Sequence, residues 1–223
     1  MNAPSPDRRL PALLLALTVV TGFVDAVSFL ALGQVFTANM TGNVVFLGFA
    51  MAGVPGLSIA RSGAALSAFA IGATIGGRLT ARLSGGPRHR WTRLAFGIEA
   101  VLLFAAAAAV AGASNDFLGD PARLYPVIGL TGLAMGVRNA TVRKLAQRDL
   151  TTTVLTQTIT GLAADSSLAG GGNPGWTRRA ASVVLMFAGA GAGAWLLRYS
   201  VVLPVAVAGA VSALCALGAR WAT

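Results

Sequence analysis

Residues 37–43 read Thr-Ala-Asn-Met-Thr-Gly-Asn (TANMTGN), and they interrupt an otherwise apolar stretch. Four of the seven side chains carry hydrogen-bonding groups, and Gly42 weakens any helix that runs through them. Apolar residues flank the heptad on both sides. What such a patch does depends first on the solvent around the chain.

Composition identifies that solvent. The 223 residues are 55% hydrophobic and 11% charged, with a mean hydropathy of +0.72. A soluble domain carries roughly 25% charged residues, so the chain reads as an integral membrane protein. Its formal charge of +10 would suggest nucleic acid on a soluble protein. Here the placement of the charges assigns them to membrane loops instead, and no nucleic-acid partner is expected. One cysteine (Cys215) excludes an intramolecular disulfide, and one histidine (His89) argues against a His/Cys metal site. Arg8 and Arg9 resemble the start of a signal peptide. The apolar run behind them is too long, contains Asp25 and lacks an Ala-x-Ala exit.

A hydrocarbon core of about 30 Å takes about 20 helical residues to cross. Six segments meet that length: 11–32, 60–81, 94–113, 123–143, 179–198 and 200–219. Two more, 41–53 and 156–168, are apolar but short; at 1.5 Å per residue they reach about 15–20 Å, half a bilayer. With a cytoplasmic N-terminus and neither short segment crossing, thirteen of the seventeen Lys and Arg fall inside and three (Arg61, Arg123, Arg198) outside. That bias obeys the positive-inside rule. If both short segments crossed, the arginines between 78 and 93 would face outward, so both are read as re-entrant.

The second half echoes the first. Gly22-Phe-Val-Asp25-Ala26 matches Gly136-Val-Arg-Asn139-Ala140, Thr41-Gly42 matches Thr160-Gly161, Pro55-Gly56 matches Pro174-Gly175, and Gly72 and Gly76 match Gly189 and Gly193. Each half holds three spans, an odd number, so the repeats are expected to have inverted topology, as in several transporter folds. The two GxxxG pairs are expected to pack helices closely, within one chain or between two.

TANMTGN then becomes the non-helical tip of a re-entrant loop, tolerated at depth only where it is buried or lines a cavity. Thr41 or Asn43 is the expected N-cap of the following half-helix. The counterpart is Thr156-Gln-Thr-Ile-Thr-Gly161. Two half-helix N-termini meeting near the midplane would favour an anion or an electron-rich group. The candidate substrate contacts are Asn39, Thr41, Gly42, Asn43, Thr156, Thr158, Thr160 and Gly161. The competing reading is tight packing, with Thr and Asn bonded to neighbouring backbone.

GFVDAVSFLALGQVFTANMTGN, GLAMGVRNATVRKL and DLTTTVLTQTITGLAADS resemble the YoaK-like bacterial membrane family, whose function is unassigned. The resemblance covers nearly the whole chain and implies a bacterial multi-pass inner-membrane protein. Arg138 departs from it, since similar proteins often carry an uncharged polar residue there.

Ionisable residues inside spans are costly and tend to be paired or functional. Asp25, Glu99 and Arg138 are the three, with Asn139 in the Asp25 column of the repeat. Adjacent columns predict an Asp25–Arg138 pair; Asp25 or Glu99 is the candidate proton or cation site. His89 reads as a solvated loop residue among arginines. The sequence carries no P-loop and no catalytic Ser/His set, so no enzyme and no cofactor are expected.

The expected fold is an all-α integral membrane protein with six transmembrane helices plus two re-entrant half-helices in inverted 3+3 repeats. Its parts are a cytoplasmic tail (1–10), a first repeat (11–113), an external linker (114–122) and a second repeat (123–223). Both termini are expected to be cytoplasmic. The expected function is a small secondary transporter or channel for a small polar or anionic solute, with a non-transporting scaffold as the alternative. The lipid bilayer is the expected partner, and a homo-oligomer is an open option.

Overall fold

The computed structural model describes residues 9–112, 119–145 and 155–221. Arg148, the tail through residue 8 and most of the 114–122 linker lie outside them. The described residues form eight α-helices and no strand: α1 (Arg9–Ala31), α2 (Met40–Met51), α3 (Ile59–Leu83), α4 (Arg88–Ala109), α5 (Pro121–Leu145), α6 (Leu155–Ala164), α7 (Trp176–Leu196) and α8 (Val202–Gly218). Four of these, α1, α3, α4 and α7, are long and apolar enough to cross a membrane. α5 has 25 residues but includes Pro126 and Arg138, and α8 has 17. The two short apolar segments are separate helices of 12 and 10 residues.

Two expected boundaries shift. α4 begins at Arg88, so His89 and its neighbouring arginines lie in its first turns and not in a loop. Pro87 fixes the entry, since its ring cannot continue a helix N-terminally but pre-sets the chain for one. The N-cap of α2 is Asn39, one residue before Met40, in place of Thr41 or Asn43; its side chain makes no capping bond.

The helices pack in matched pairs. α1 lies along α7, α3 lies along α5, and α4 against α8 joins the two pairs. α4 also packs on α5, and α8 on α1. The pairs are glycine crossings. A Cβ on Gly22 would come within 2.5 Å of Met186 O and Ala190 N, and one on Gly189 would strike the backbone of Val19. On the other pair, Gly72 and Gly76 face the backbones of Leu133 and Val137, and Gly136 faces Phe69 and Ala73. Both GxxxG faces are therefore covered within the chain. α3 thus packs on α5 and α7 on α1, and the two GxxxG helices do not pack on each other.

Two apolar clusters form the interior. One joins α1, α4, α5 and α8 around Leu14, Leu17, Phe96, Leu103 and Met135. The other, toward the C-terminal end of α1, gathers Val27, Leu32, Val110, Leu124, Ile128 and Val205. Large apolar side chains also cover the outside: Phe187 is 81% exposed, and Val101 and Leu214 are each 67% exposed. An exterior this apolar suits lipid better than water.

Candidate functional site

α1 carries a polar stripe through the apolar interior. Thr18, Thr21, Asp25 and Ser28 recur at three- and four-residue spacing, which puts them on one helix face. All four are buried. Thr18, Thr21 and Ser28 return their hydroxyls to carbonyls of their own helix, at 3.0, 3.1 and 3.3 Å. Asp25 has no such local solution.

Arg138 of α5 enters the first apolar cluster and is 1% exposed. Its Nη1 donates to Glu99 Oε1 on α4 at 3.1 Å and to the Leu17 carbonyl at 3.0 Å. Its Nη2 donates to Thr21 Oγ1 at 2.7 Å and lies 2.9 Å from Met135 Sδ. Ser212 of α8 completes the network by donating to Glu99 Oε1 at 2.9 Å. Four helices thus converge on one buried ion pair.

The expected Asp25–Arg138 pair does not form. α5 runs against α4 and touches α1 only briefly, so Arg138 meets the α4 carboxylate first. Asp25 interacts with Arg138 only through space, while its carboxylate lies beside the backbone of Ala38. Its Oδ1 is buried and makes no hydrogen bond. Thr37 Oγ1, also buried, makes none either. The stripe on α1 therefore meets the tip of the opening heptad, a contact that sequence spacing did not show. Asn139 stays local, donating to the Met135 carbonyl at 2.7 Å.

Within TANMTGN the polar groups divide. Asn43 is fully buried. Its Oδ1 accepts from Phe36 N–H at 2.8 Å and its Nδ2 donates to the Phe36 carbonyl, closing a ring on one residue. Phe36 stacks between Phe29 and Phe46, at centroid distances of 5.2 and 5.7 Å. Gly42 makes room for that ring, since a Cβ there would sit 2.7 Å from Phe36 Cδ2. Gly42 and Asn43 thus fold the loop back. Asn39 and Thr41 are exposed.

The second tip is built differently. Thr158 is buried, whereas Thr156 and Thr160 are exposed. Gly161 faces a guanidinium where Gly42 faces a ring: its Cβ would lie 2.8 Å from Arg179 Nη1. Arg179 in turn pairs with Asp165 at 2.6 Å. α2 packs on α3 and α6 on α7, and the two half-length helices do not touch each other.

The family described as "Protein of unknown function (DUF1275)" matches residues 13–218 of the chain. A curated relative, the UPF0700 transmembrane protein YoaK of Bacillus subtilis (strain 168), is 32% identical over 155 residues. That alignment covers 70% of this chain and 66% of the relative, slightly under two thirds of the relative's length. No solved structure matches.

Proposed function

This chain belongs to the DUF1275 family of membrane proteins, and we propose that it is a small secondary transporter that moves an anionic or polar solute together with a proton. The observation that carries this is the placement of Asp25. It sits on the buried polar stripe of α1, in contact with the backbone just ahead of α2.

The charge balance supplies the coupling. With Asp25, Glu99 and Arg138 all ionised, the buried set has two negative charges and one positive. Glu99 is committed to Arg138 at 3.1 Å. Asp25 is left as the group that exchanges a proton. An anion held at the N-terminus of α2 would meet favourable N–H dipoles. It would also lie close to Asp25. Two like charges about 6 Å apart repel by about 3 kcal/mol at an effective dielectric of about 20. Solute and proton therefore bind together. Exposed Asn39 and Thr41 contact the solute at the tip ahead of α2; Thr156 and Thr160 belong to α6, which does not touch α2, and fall outside this site.

The exchanged packing of α1 with α7 and α3 with α5 is what two inverted three-span repeats would produce. On that reading the repeats run over 11–113 and 123–223. Spans α1, α3, α4, α5, α7 and α8 cross the inner membrane, α2 and α6 enter from opposite faces, and both termini are cytoplasmic.

One observation favours a non-transporting scaffold. The Asn43 clamp on Phe36 shows that part of the heptad is occupied with holding its own loop. Ligand-dependent thermal stabilisation separates the two readings. A panel of phosphate, sulfate and small di- and monocarboxylates is offered to the purified protein at acidic and alkaline pH. A transporter is stabilised by at least one of them, more strongly at acidic pH, and Asp25→Asn removes the difference. A scaffold is stabilised by none.

A further inference from the structure

A groove beside α4 is lined by residues that the buried ion-pair cluster does not use. It has a volume of about 790 Å³ and runs along α4 beside Ala216 of α8. Its two ends differ in chemistry. His89, Arg90 and Arg93 form the end at the start of α4, and no carboxylate among the described residues lines any part of it. Below them the wall is apolar. Leu94, Ile98 and Leu102 continue the Arg90 row at four-residue steps, and Gly97 and Val101 continue the Arg93 row. Each arginine thus heads an apolar row on a helix that is long and apolar enough to cross the membrane.

Length and shape fit one kind of occupant. Arg90 to Leu102 is twelve residues, or about 18 Å of helix, close to half of the roughly 30 Å hydrocarbon core. Gly97 forms the floor, and a Cβ there would meet nothing within 4 Å. The first turn of α4 adds its dipole, since Pro87 offers no side-chain cap. A cationic head above an apolar channel of one-leaflet depth complements an anionic head carried on an acyl chain.

We propose that this groove binds one anionic phospholipid, its phosphate held by Arg90 and Arg93 and one acyl chain lying along Leu94, Gly97, Ile98 and Val101. The site is independent of the transport reading. It requires only that α4 spans the membrane.

Native mass spectrometry of the full chain, released from detergent, tests the site. The probes are phosphatidylglycerol and phosphatidylethanolamine with identical acyl chains, and inorganic phosphate alone. Wild type retains one phosphatidylglycerol with a preference of about tenfold or more over phosphatidylethanolamine, the scale expected of two arginines beside an anionic lipid. Arg90→Ala with Arg93→Ala abolishes the preference, whereas Arg82→Ala, outside the groove, keeps it. Gly97→Trp fills the channel and reduces retention of both lipids, with the melting temperature unchanged. Equal retention of the two lipids by wild type overturns the proposal. So does undiminished binding by Gly97→Trp, or inorganic phosphate that competes as well as the lipid. A wild-type dimer that Gly97→Trp dissociates would give the groove to a second copy of the chain and overturn it too.

Discussion

Arg138 of α5 and Glu99 of α4 form an ion pair at 3.1 Å with both side chains at or below 1% exposure. Removing one partner of a buried pair strands the other charge, at a typical cost of about 3–5 kcal/mol. Arg138→Gln and Glu99→Gln should each destabilise on that scale, and the double variant should recover much of the loss. Arg138→Gln combined with Asp25→Asn should recover less, because those two side chains form no ion pair. Denaturation in detergent micelles measures the cycle; additivity for Arg138 and Glu99 would show that the pair contributes no coupling.

Asn43 and Thr41 stand two residues apart and should respond oppositely. Asn43→Ala leaves the Phe36 N–H and carbonyl without their partner, at a cost of about 1–3 kcal/mol. Thr41→Val alters an exposed side chain and should change stability by no more than about 0.5 kcal/mol. Its expected defect is selective, in solute binding. Equal loss of stability in both variants would reduce the heptad to packing alone.

The glycine crossings predict a contrast within α7. Gly189→Val drives a side chain into the backbone of Val19 and should destabilise by at least about 1–3 kcal/mol, the range for overpacked cores. Gly191→Ala, two residues on, meets nothing within 4 Å and should be tolerated. Thermal unfolding of the two variants checks this directly.

Topology is open to single cysteines in a Cys215→Ala background, probed with an impermeant thiol reagent on intact cells. Position 56, between α2 and α3, should label from outside. Position 85, between α3 and α4, should label only after the membrane is opened. The reverse pattern would invert the whole layout and move the α2 tip to the cytoplasmic side.

The helices were legible because apolar length is a local property. All eight segments expected to be helical are helical, with ends displaced by a few residues. The largest displacement is at α4, where charged residues 88–93 looked like loop but extend a helix that begins after Pro87. The glycine spacing was legible as close packing. Which helix each glycine meets was not, because that depends on how the two halves interlock. Charge pairing was legible only as a need. The sequence marked Asp25, Glu99 and Arg138 as costly, but repeat columns pointed Arg138 at Asp25, one position away from its own alignment partner. On a helix one position is a turn of about 100°, enough to swing Arg138 onto α4. Asn43 showed the same limit. Its type suggested a cap or a ligand contact, and only the folded loop reveals a clamp on Phe36.

The most direct test of proton-coupled solute entry uses sealed proteoliposomes with a trapped pH-sensitive dye. Phosphate, sulfate, succinate and gluconate, each too polar to cross lipid unaided, are added outside in turn at matched starting pH. At least one of them should acidify the lumen of wild-type vesicles, and vesicles carrying Asp25→Asn should show no acidification with that anion. Absence of acidification with every anion, or acidification by Asp25→Asn at the wild-type rate, would contradict a proton-coupled pathway through Asp25.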